Sequence, residues 1–235
     1  MTDGATITVN FAKPMPVFPL DTAVLLPQQV LPLHIFEPRY RQMIDHVLDG
    51  AGQFAMGVFA GDRWKQEYHG RPPLRPFVCI GQVVQHERLD DGRYNVLVQG
   101  VCRARIIREL PPSAERHYRE AMLSPVGLGD HDDDELSNTR ARLGELLAEG
   151  PLTHLAAAPA VSEYIRNTDV PTAAILELVS FTLLNDPEVR YRLLAEPSTT
   201  RRAEIIEHEL GGLIRLLTLA ERQRLTEWPK GMSWN

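Results

Sequence analysis

The spacing of apolar residues changes once along the chain, near residue 127, and this change limits the folds open to the sequence. Before it, six or seven short apolar segments are separated by proline, glycine and aspartate, which favour tight turns. After it, apolar residues recur every three or four positions, as they do on amphipathic helices. The pattern predicts an α+β chain, with an antiparallel β barrel or a strongly bent sheet followed by an all-α helical bundle.

The predicted strands are bounded by turn signals, and the clearest turn is Asp91–Gly92 between two alternating segments. The strand candidates are residues 15–20, 30–36, 53–60, 77–89, 93–98, 101–110 and 117–126. Three helix starts are predicted later in the chain, at Asp169 with Pro171, at Asp186 with Pro187, and at Pro197 with Ser198. We therefore expect a β-barrel domain over residues 1–126 and a helical bundle over residues 127–235 that ends in a long helix.

The segment VLPLHIFEPRYRQMI at residues 30–44 combines a strand, a tight turn and a helix. Alternation places Leu31, Leu33 and Ile35 on one face of the strand and Pro32, His34 and Phe36 on the other. Because proline cannot donate to a β ladder, Pro32 predicts an edge strand or a bulge. Pro38 suits the first turn of the helix that follows, whose apolar stripe starts at Tyr40.

Charge gives little support to nucleic-acid binding. The chain carries a net charge of −6, with 14 Lys and Arg against 13 Asp and Glu in residues 1–127, and 11 against 18 in residues 128–235. Neither half has the basic excess typical of a nucleic-acid binder. Five arginines could still form a basic ribbon along the 90–92 hairpin, or a solvated outer face paired with nearby acids, and we favour the solvated face. They are Arg88, Arg93, Arg103, Arg105 and Arg108.

Sequence motifs for catalysis are missing. The three lysines are Lys13, Lys65 and Lys230, and none precedes serine or threonine, which excludes a GxxxxGK[ST] phosphate loop. No GxSxG, HExxH, GxGxxG or CxxC motif occurs. The acidic run at residues 130–135 is interpreted as a solvated linker into a helix rather than a cation site. We therefore predict no cofactor, no metal and no enzymatic activity.

The remaining composition is typical of a cytoplasmic protein. No apolar run approaches the ~20 residues of a membrane span, and residues 1–10 lack a signal-peptide pattern. Cys79 and Cys102 could pair only with each other, and we favour two buried free thiols. In the tail TEWPKGMSWN, Trp228 and Trp234 could cap the bundle or support dimerisation, and we favour the cap.

Three segments carry a resemblance to a known family. They are MPVFPLDTAVLLPQQVLPLHIFEPRYRQMI, IGQVVQHERLDDGRYNVLVQGVCRARIIREL and LLNDPEVRYRLLAEPSTTRRAEIIEHEL. Together they resemble the LON substrate-binding domain, the N-terminal domain of Lon protease, from about residue 15 to about residue 220. The resemblance implies a PUA-like antiparallel β barrel followed by helices. In full-length Lon this region recognises substrate proteins and helps to assemble the hexamer, and the ATPase and protease follow it.

The resemblance and the missing motifs predict a non-catalytic module that binds peptides or proteins, with an adaptor role in protein quality control as the finer hypothesis. Its expected partners are unfolded or extended polypeptides, together with Lon or another protease. We expect no membrane partner and a monomer or weak homodimer. An RNA-binding PUA-like module is the alternative, and a small-molecule enzyme ranks third. The candidate binding residues are His34, Phe36, Glu37, Arg39, Tyr40, Trp64 and Tyr68.

Overall fold

The structure is a computed structural model that describes residues 7–62, 64–67, 70–127 and 133–222. The strands are β1 (Met15–Leu20), β2 (Val30–Ile35), β3 (Gln53–Val58), β4 (Phe77–Arg88), β5 (Tyr94–Glu109) and β6 (Arg119–Pro125). The helices are α1 (Pro38–Leu48), α2 (Trp64–Glu67), α3 (Asp133–Ala148), α4 (Ala158–Arg166), α5 (Thr172–Thr182), α6 (Pro187–Ala195) and α7 (Thr199–Arg222), with a short 3-10 helix at Pro151–His154.

Five of these strands close into a barrel, in the order β5, β4, β3, β1, β6 and back to β5. The long strand β5 makes closure possible, because its second half pairs with β6 while its first half pairs with β2. All pairs are antiparallel except β1 with β3, which run parallel because β2 and α1 form the crossover between them. The predicted fold class, a β barrel followed by helices, is confirmed.

The loop before β2 packs closely on the barrel at Gly100. Gly100 donates its N–H to the Gln29 carbonyl over 2.8 Å and accepts a hydrogen bond from the Gln28 N–H over 2.7 Å. A Cβ atom at position 100 would lie only 2.0 Å from the carbonyl oxygen of Leu26. A side chain at position 100 would therefore push this loop off the barrel.

Strands β1 and β3 and the first half of β4 are buried on both faces, so the apolar interior of the barrel has two parts. Val17 and Ile80 are fully buried in one part, and Phe54 is fully buried in the other. Helix α1 covers this core with the apolar stripe that its spacing predicted: Tyr40, Met43, Ile44 and Val47 are all buried. The segment after Ile35 is thus a strand, a tight turn and a helix, as the sequence predicted.

Helices α5, α6 and α7 start where the sequence predicted. Helix α6 starts at Pro187, and the Asp186 carboxylate accepts hydrogen bonds from the N–H groups of Glu188 and Val189 over 2.8 and 3.0 Å. Helix α5 starts directly after Pro171, and α7 starts directly after Ser198. The helices bury a second apolar core that includes Leu143, Ile175 and Ile206.

The barrel and the helices share a buried contact centred on Arg103 of β5. Arg103 pairs with Glu177 of α5 over 2.8 Å and donates to the backbone carbonyl of Leu193 on α6 over 3.2 Å. The prediction that Arg103 belongs to a solvated or phosphate-binding ribbon is therefore wrong, because the helical part covers it. Sequence periodicity placed Arg103 and Arg105 on one strand face, and of the two Arg105 is the exposed residue.

Helix α6 also contributes to the barrel core. Tyr191 and Leu194 pack in the same buried cluster as Phe18 and Phe54. The Tyr191 hydroxyl accepts a hydrogen bond from the Phe77 N–H over 2.9 Å, and the Arg75 guanidinium lies 3.4 Å above the Tyr191 ring. The division into domains 1–126 and 127–235 stays a prediction. Around Tyr191 the two parts share one apolar core.

Several sequence predictions fall on residues outside the described ranges. These are the binding role of Tyr68, the acidic linker at residues 130–132, and the tail residues Trp228 and Trp234.

Candidate functional site

Strand β2 lies at the edge of the sheet, as Pro32 predicted. Its neighbour is β5, and no other strand among residues 7–62, 64–67, 70–127 and 133–222 pairs with it. The side chains of Val30, Pro32 and His34 are exposed, and Leu31 and Leu33 are half-buried towards the core. An exposed edge strand presents backbone groups that can pair with another chain.

The direction of those backbone groups follows from one hydrogen bond. The Gln29 carbonyl accepts from Gly100 on β5, so the backbone of residue 29 faces β5. Backbone groups alternate along a strand, so those of Leu31 and Leu33 also face β5, and those of Val30, Pro32 and His34 point to the open side. Proline is tolerated at an edge in this orientation because its missing N–H faces outwards. The open edge therefore offers two N–H donors, on Val30 and His34.

A chain of polar side chains crosses the outer face of β2, β5 and β4. Arg93 donates to the Nε2 atom of His34 over 3.2 Å, so the Nδ1 atom of His34 carries the hydrogen and donates to Asn95 Oδ1 over 2.8 Å. Asn95 in turn donates to Glu87 over 3.1 Å, and Arg93 also donates to Asp91 over 2.6 Å. These bonds fix the orientation of the His34 ring on the strand.

Beside this polar chain lies a shallow groove of about 400 Å³. It is lined by Pro32, Leu33, His34, Gln85, His86, Glu87, Asn95, Val96 and Leu97. Pro32 lies opposite Leu97 in the β2–β5 pairing, so the floor of the groove is apolar in the middle and polar at the His34 end. The groove can therefore accept an extended chain with apolar side chains, and it adjoins the open edge.

An exposed aromatic side chain directly follows β2. Phe36 is 61% exposed and stacks on His34 with ring centres 6.3 Å apart. Glu37 precedes α1 and pairs with Arg39 over 3.0 Å. The Arg39 guanidinium lies 4.6 Å from the centre of the Tyr40 ring, and Tyr40 is buried against Phe18. Tyr40 therefore supports this corner from the core.

Trp64 lies in a different groove from His34 and Phe36. Its ring stacks on Phe59 with centres 5.3 Å apart and planes 6° apart. The groove around it has a volume of about 480 Å³, and Arg75 and Glu188, a pair at 2.6 Å, form part of its lining. The structure thus groups His34, Phe36, Glu37 and Arg39 at one end of β2 and places Trp64 elsewhere.

Sequence reasoning missed three residues of this outer face: Glu87, Asn95 and Leu97. The signal for them was present in the hairpin turn, because Leu89 and Arg93 close it with a 2.8 Å hydrogen bond. This closure sets Glu87 opposite Asn95 and brings both beside His34. Reading the hairpin register outward from Asp91–Gly92 identifies the same residues.

A larger apolar groove of about 620 Å³ lies in the helical part, between the start of α6 and the second half of α7. Leu216 and Leu219 on its rim are 66% and 51% exposed. We place the candidate site at β2 instead, because there exposed apolar side chains adjoin unpaired backbone groups that can select an extended chain.

The chemistry of the described residues gives no sign of a metal centre or a reactive thiol. No group of three His, Cys, Asp or Glu side chains in the described part of the chain is arranged to hold a metal ion. Cys79 is a buried free thiol, as predicted, and Cys102 is free but only half-buried. Burial raises the pKa of both thiols, that of Cys102 to about 11. Among the same residues, no helix combines the length and apolar character needed to cross a bilayer.

Comparison with known proteins identifies relatives over most of the chain. A family model described as the ATP-dependent protease La (LON) substrate-binding domain matches residues 14–211. A Lon protease of Desulfosudis oleivorans is 20% identical over 215 residues, which are 92% of this chain and 26% of that protein. Lon protease 2 of Syntrophobacter fumaroxidans is 22% identical over 94% of this chain and 27% of its own length. The chain thus spans about a quarter of the length of these relatives.

Two solved structures share the fold. The N-terminal domain of a Mycobacterium avium complex Lon protease superposes with a TM-score of 0.65 and 19% identity, over 85% of this chain and 98% of that one. A Lon N-terminal domain protein from Xanthomonas campestris gives a TM-score of 0.57 and 18% identity, over 82% and 95% of the two chains. At this identity the likeness establishes the fold.

Proposed function

The chain belongs to the LON substrate-binding domain family, and from this premise we propose that it is a non-catalytic module that binds extended polypeptide segments at the open edge of β2. The observation that carries the proposal is the edge itself: outward-facing N–H groups on Val30 and His34 beside the exposed ring of Phe36. Backbone pairing supplies affinity for any extended chain, and the side chains beside it supply selectivity.

The side chains on the outer face of β2 indicate which polypeptide segments would bind. A chain added to β2 continues the sheet, so alternate side chains of the bound segment lie on the same face as Val30 and Pro32. Apolar side chains at those positions would cover Val30 and Phe36, which are 50% and 61% exposed. Such segments are buried in folded proteins and become accessible in unfolded ones. The expected ligand is therefore an unfolded protein.

Two further parts of the proposal go beyond the family match. The first is the absence of catalytic activity, which is supported by the match to a substrate-binding domain and by the missing phosphate-loop motif. The second is an adaptor role in protein quality control, in which bound segments are passed to Lon or another protease. The free thiols Cys79 and Cys102 support a reducing compartment such as the cytoplasm.

Fluorescence anisotropy tests the site with a labelled ten-residue peptide of alternating valine and threonine. Phe36→Ala removes the exposed ring, and we expect binding to weaken by about tenfold, because burying a large side chain contributes about 1.5–3 kcal/mol. Tyr164→Ala is the matched control, since Tyr164 of α4 is 51% exposed and lies in the helical part. Equal effects of the two substitutions, or no binding by the unsubstituted protein, would contradict the proposal.

A further inference from the structure

One residue just before the open edge of β2 has an unfavourable backbone conformation. Gln28 has a φ angle of 66°, in the left-handed region. Within the described ranges of the chain, the other residues with a left-handed φ angle are glycines, namely Gly52, Gly61, Gly92, Gly127 and Gly150. A side chain is disfavoured in this region because its Cβ atom lies too close to the following carbonyl oxygen. Position 28 therefore keeps a glutamine side chain where glycine would be more stable.

The conformation of Gln28 is imposed by the turn that leads into β2. The Gln29 N–H donates to the Leu26 carbonyl over 3.2 Å and closes a four-residue turn. Pro27 and Gln28 occupy its two central positions. Proline followed by a residue with positive φ is the arrangement of a type II turn, in which glycine is favoured at the position of Gln28. The Gln28 N–H donates to the Gly100 carbonyl over 2.7 Å and holds the turn against β5. The turn thus requires a left-handed residue at position 28 but no side chain.

The two glutamines of this turn have different surroundings. Gln29 is only 9% exposed, and its side-chain Oε1 atom accepts a hydrogen bond from the Leu26 N–H over 3.1 Å, so this side chain stabilises the turn itself. The Gln28 side chain is exposed, and its amide forms no hydrogen bond with another residue in the part of the chain that the structure describes. A strained position whose side chain has no structural partner is typical of a binding site.

Gln28 lies at the amino end of the open edge. Gln28 and Val30 are both exposed, and Gln29 between them is buried. Neighbouring strands lie about 4.8 Å apart, so a segment that pairs with β2 and continues past Val30 runs within reach of the Gln28 side chain. The backbone N–H of Gln28 cannot pair with such a segment, because it already bonds to Gly100. The side-chain amide is therefore the free hydrogen-bonding group that residue 28 offers at this end.

We propose that the Gln28 side-chain amide binds the main chain of the extended polypeptide where it passes the amino end of β2, an inference that rests on the proposed function. A primary amide has two N–H donors and a carbonyl acceptor, so it can bond to both the C=O and the N–H of a ligand residue. Every residue type except proline presents both of these groups. The contact therefore adds affinity without selecting a side chain, which suits a module that binds unfolded proteins of varied sequence.

Two substitutions at position 28 test this contact with the labelled valine–threonine peptide. Gln28→Gly relieves the left-handed strain, so it should raise the Tm by about 2–4 °C. It also removes the amide, so the peptide should bind about threefold to tenfold more weakly, the effect of losing one hydrogen bond. Gln28→Glu keeps the length and the strain of the side chain but loses both donors. It should weaken peptide binding to a similar extent and leave the Tm unchanged.

Asn138→Asp is the matched control, because Asn138 is an exposed amide on α3 and the substitution makes the same change of charge. It should bind the peptide as tightly as the unsubstituted protein. If Gln28→Gly and Gln28→Glu also bind as tightly, the inference is wrong and the proposed function stands. Weaker binding by Gln28→Gly alone would overturn the contact too, because glycine can loosen the turn. A lower Tm of Gln28→Gly would show that glutamine is not strained there. If the unsubstituted protein binds no peptide, the inference and the proposed function are both wrong.

Discussion

Arg103 of β5 and Glu177 of α5 form a buried ion pair with an N–O distance of 2.8 Å, and each side chain is only 7% exposed. Arg202 of α7 lies 3.6 Å from the same carboxylate. Burial, followed by the charge of Arg103, lowers the pKa of Arg202 to about 10. The Glu177 carboxylate thus lies close to two guanidinium groups, that of Arg202 in the helical part and that of Arg103 in the barrel.

Removing this carboxylate should destabilise the whole protein. Glu177→Ala leaves two cations buried without their partner, and breaking a buried pair in this way costs about 3–5 kcal/mol. Urea unfolding followed by circular dichroism measures the loss. Glu207→Ala is the control, because Glu207 pairs with Arg142, which is 57% exposed, and such surface pairs contribute about 0–1 kcal/mol. Similar losses in the two variants would show that the buried pair is not what joins the two parts.

Because the edge of β2 is open, we predict that replacing Pro32 increases the affinity for an extended peptide. Pro32→Val adds an N–H donor between those of Val30 and His34, and the side chain stays on the exposed face. One further backbone hydrogen bond contributes about 0.5–1.5 kcal/mol, so the alternating peptide should bind roughly threefold to tenfold more tightly. Anisotropy titration measures this change. An unchanged affinity would mean that the bound segment does not pair with β2, and gel filtration would show whether the variant pairs with itself instead.

Two glycine substitutions should have opposite effects on stability. Gly100→Ala places a Cβ atom 2.0 Å from the Leu26 carbonyl, a clash of the kind that costs about 1–3 kcal/mol or more. Gly211→Ala lies within α7, where the nearest atom to the new Cβ is a flexible guanidinium of Arg215 at 3.8 Å. Alanine favours a helix over glycine by about 1 kcal/mol, so this variant should be more stable. Thermal unfolding measures both, and a stabilised Gly100→Ala would contradict the loop contact.

The buried thiols predict a loss of stability above pH 9. Burial raises the pKa of Cys102 from 9.0 to about 11 and raises that of Cys79 further. Between pH 9 and 10 the unfolded chain therefore loses thiol protons that the folded protein keeps. Stability supplied by the neutral thiols is complete below pH 9 and decreases as pH rises, by up to about 1.4 kcal/mol per pH unit for the buried thiol of Cys79 and by less for the half-buried thiol of Cys102.

Chemical denaturation at pH 8, 9 and 10 measures this decrease. The window ends at pH 10, where Arg202, whose pKa is lowered to about 10, is half deprotonated and changes stability in the opposite direction. The double variant Cys79→Ala with Cys102→Ala should show a weaker pH dependence in this range, and the remainder should come from Tyr94, Tyr118 and Tyr191, whose pKa values burial also raises. A double variant with the same dependence would assign it to other groups.

Local chemistry made individual elements of the fold predictable. Pro32 specified an edge strand because proline lacks a ladder donor, and Asp186 specified the start of α6 because its carboxylate caps two N–H groups. The buried contact of Arg103 could not be predicted in this way. Its partner Glu177 lies 74 residues further along the chain, on a helix whose docking face depends on tertiary packing. The groove lined by Arg39, Arg71 and Arg119 was missed for the same reason, because these residues meet only in the folded barrel.

Closure of the barrel has a consequence for how the chain folds as it is made. Met15 pairs with Ala121, so the ring cannot close until most of the first 125 residues have left the ribosome. Pairings between such distant segments form slowly. Arg103 then has no carboxylate partner until α5, which is synthesised later still, packs against the barrel. A nascent chain exposes open strands before the first of these events and an unneutralised cation until the second, and over that period it would itself depend on chaperones.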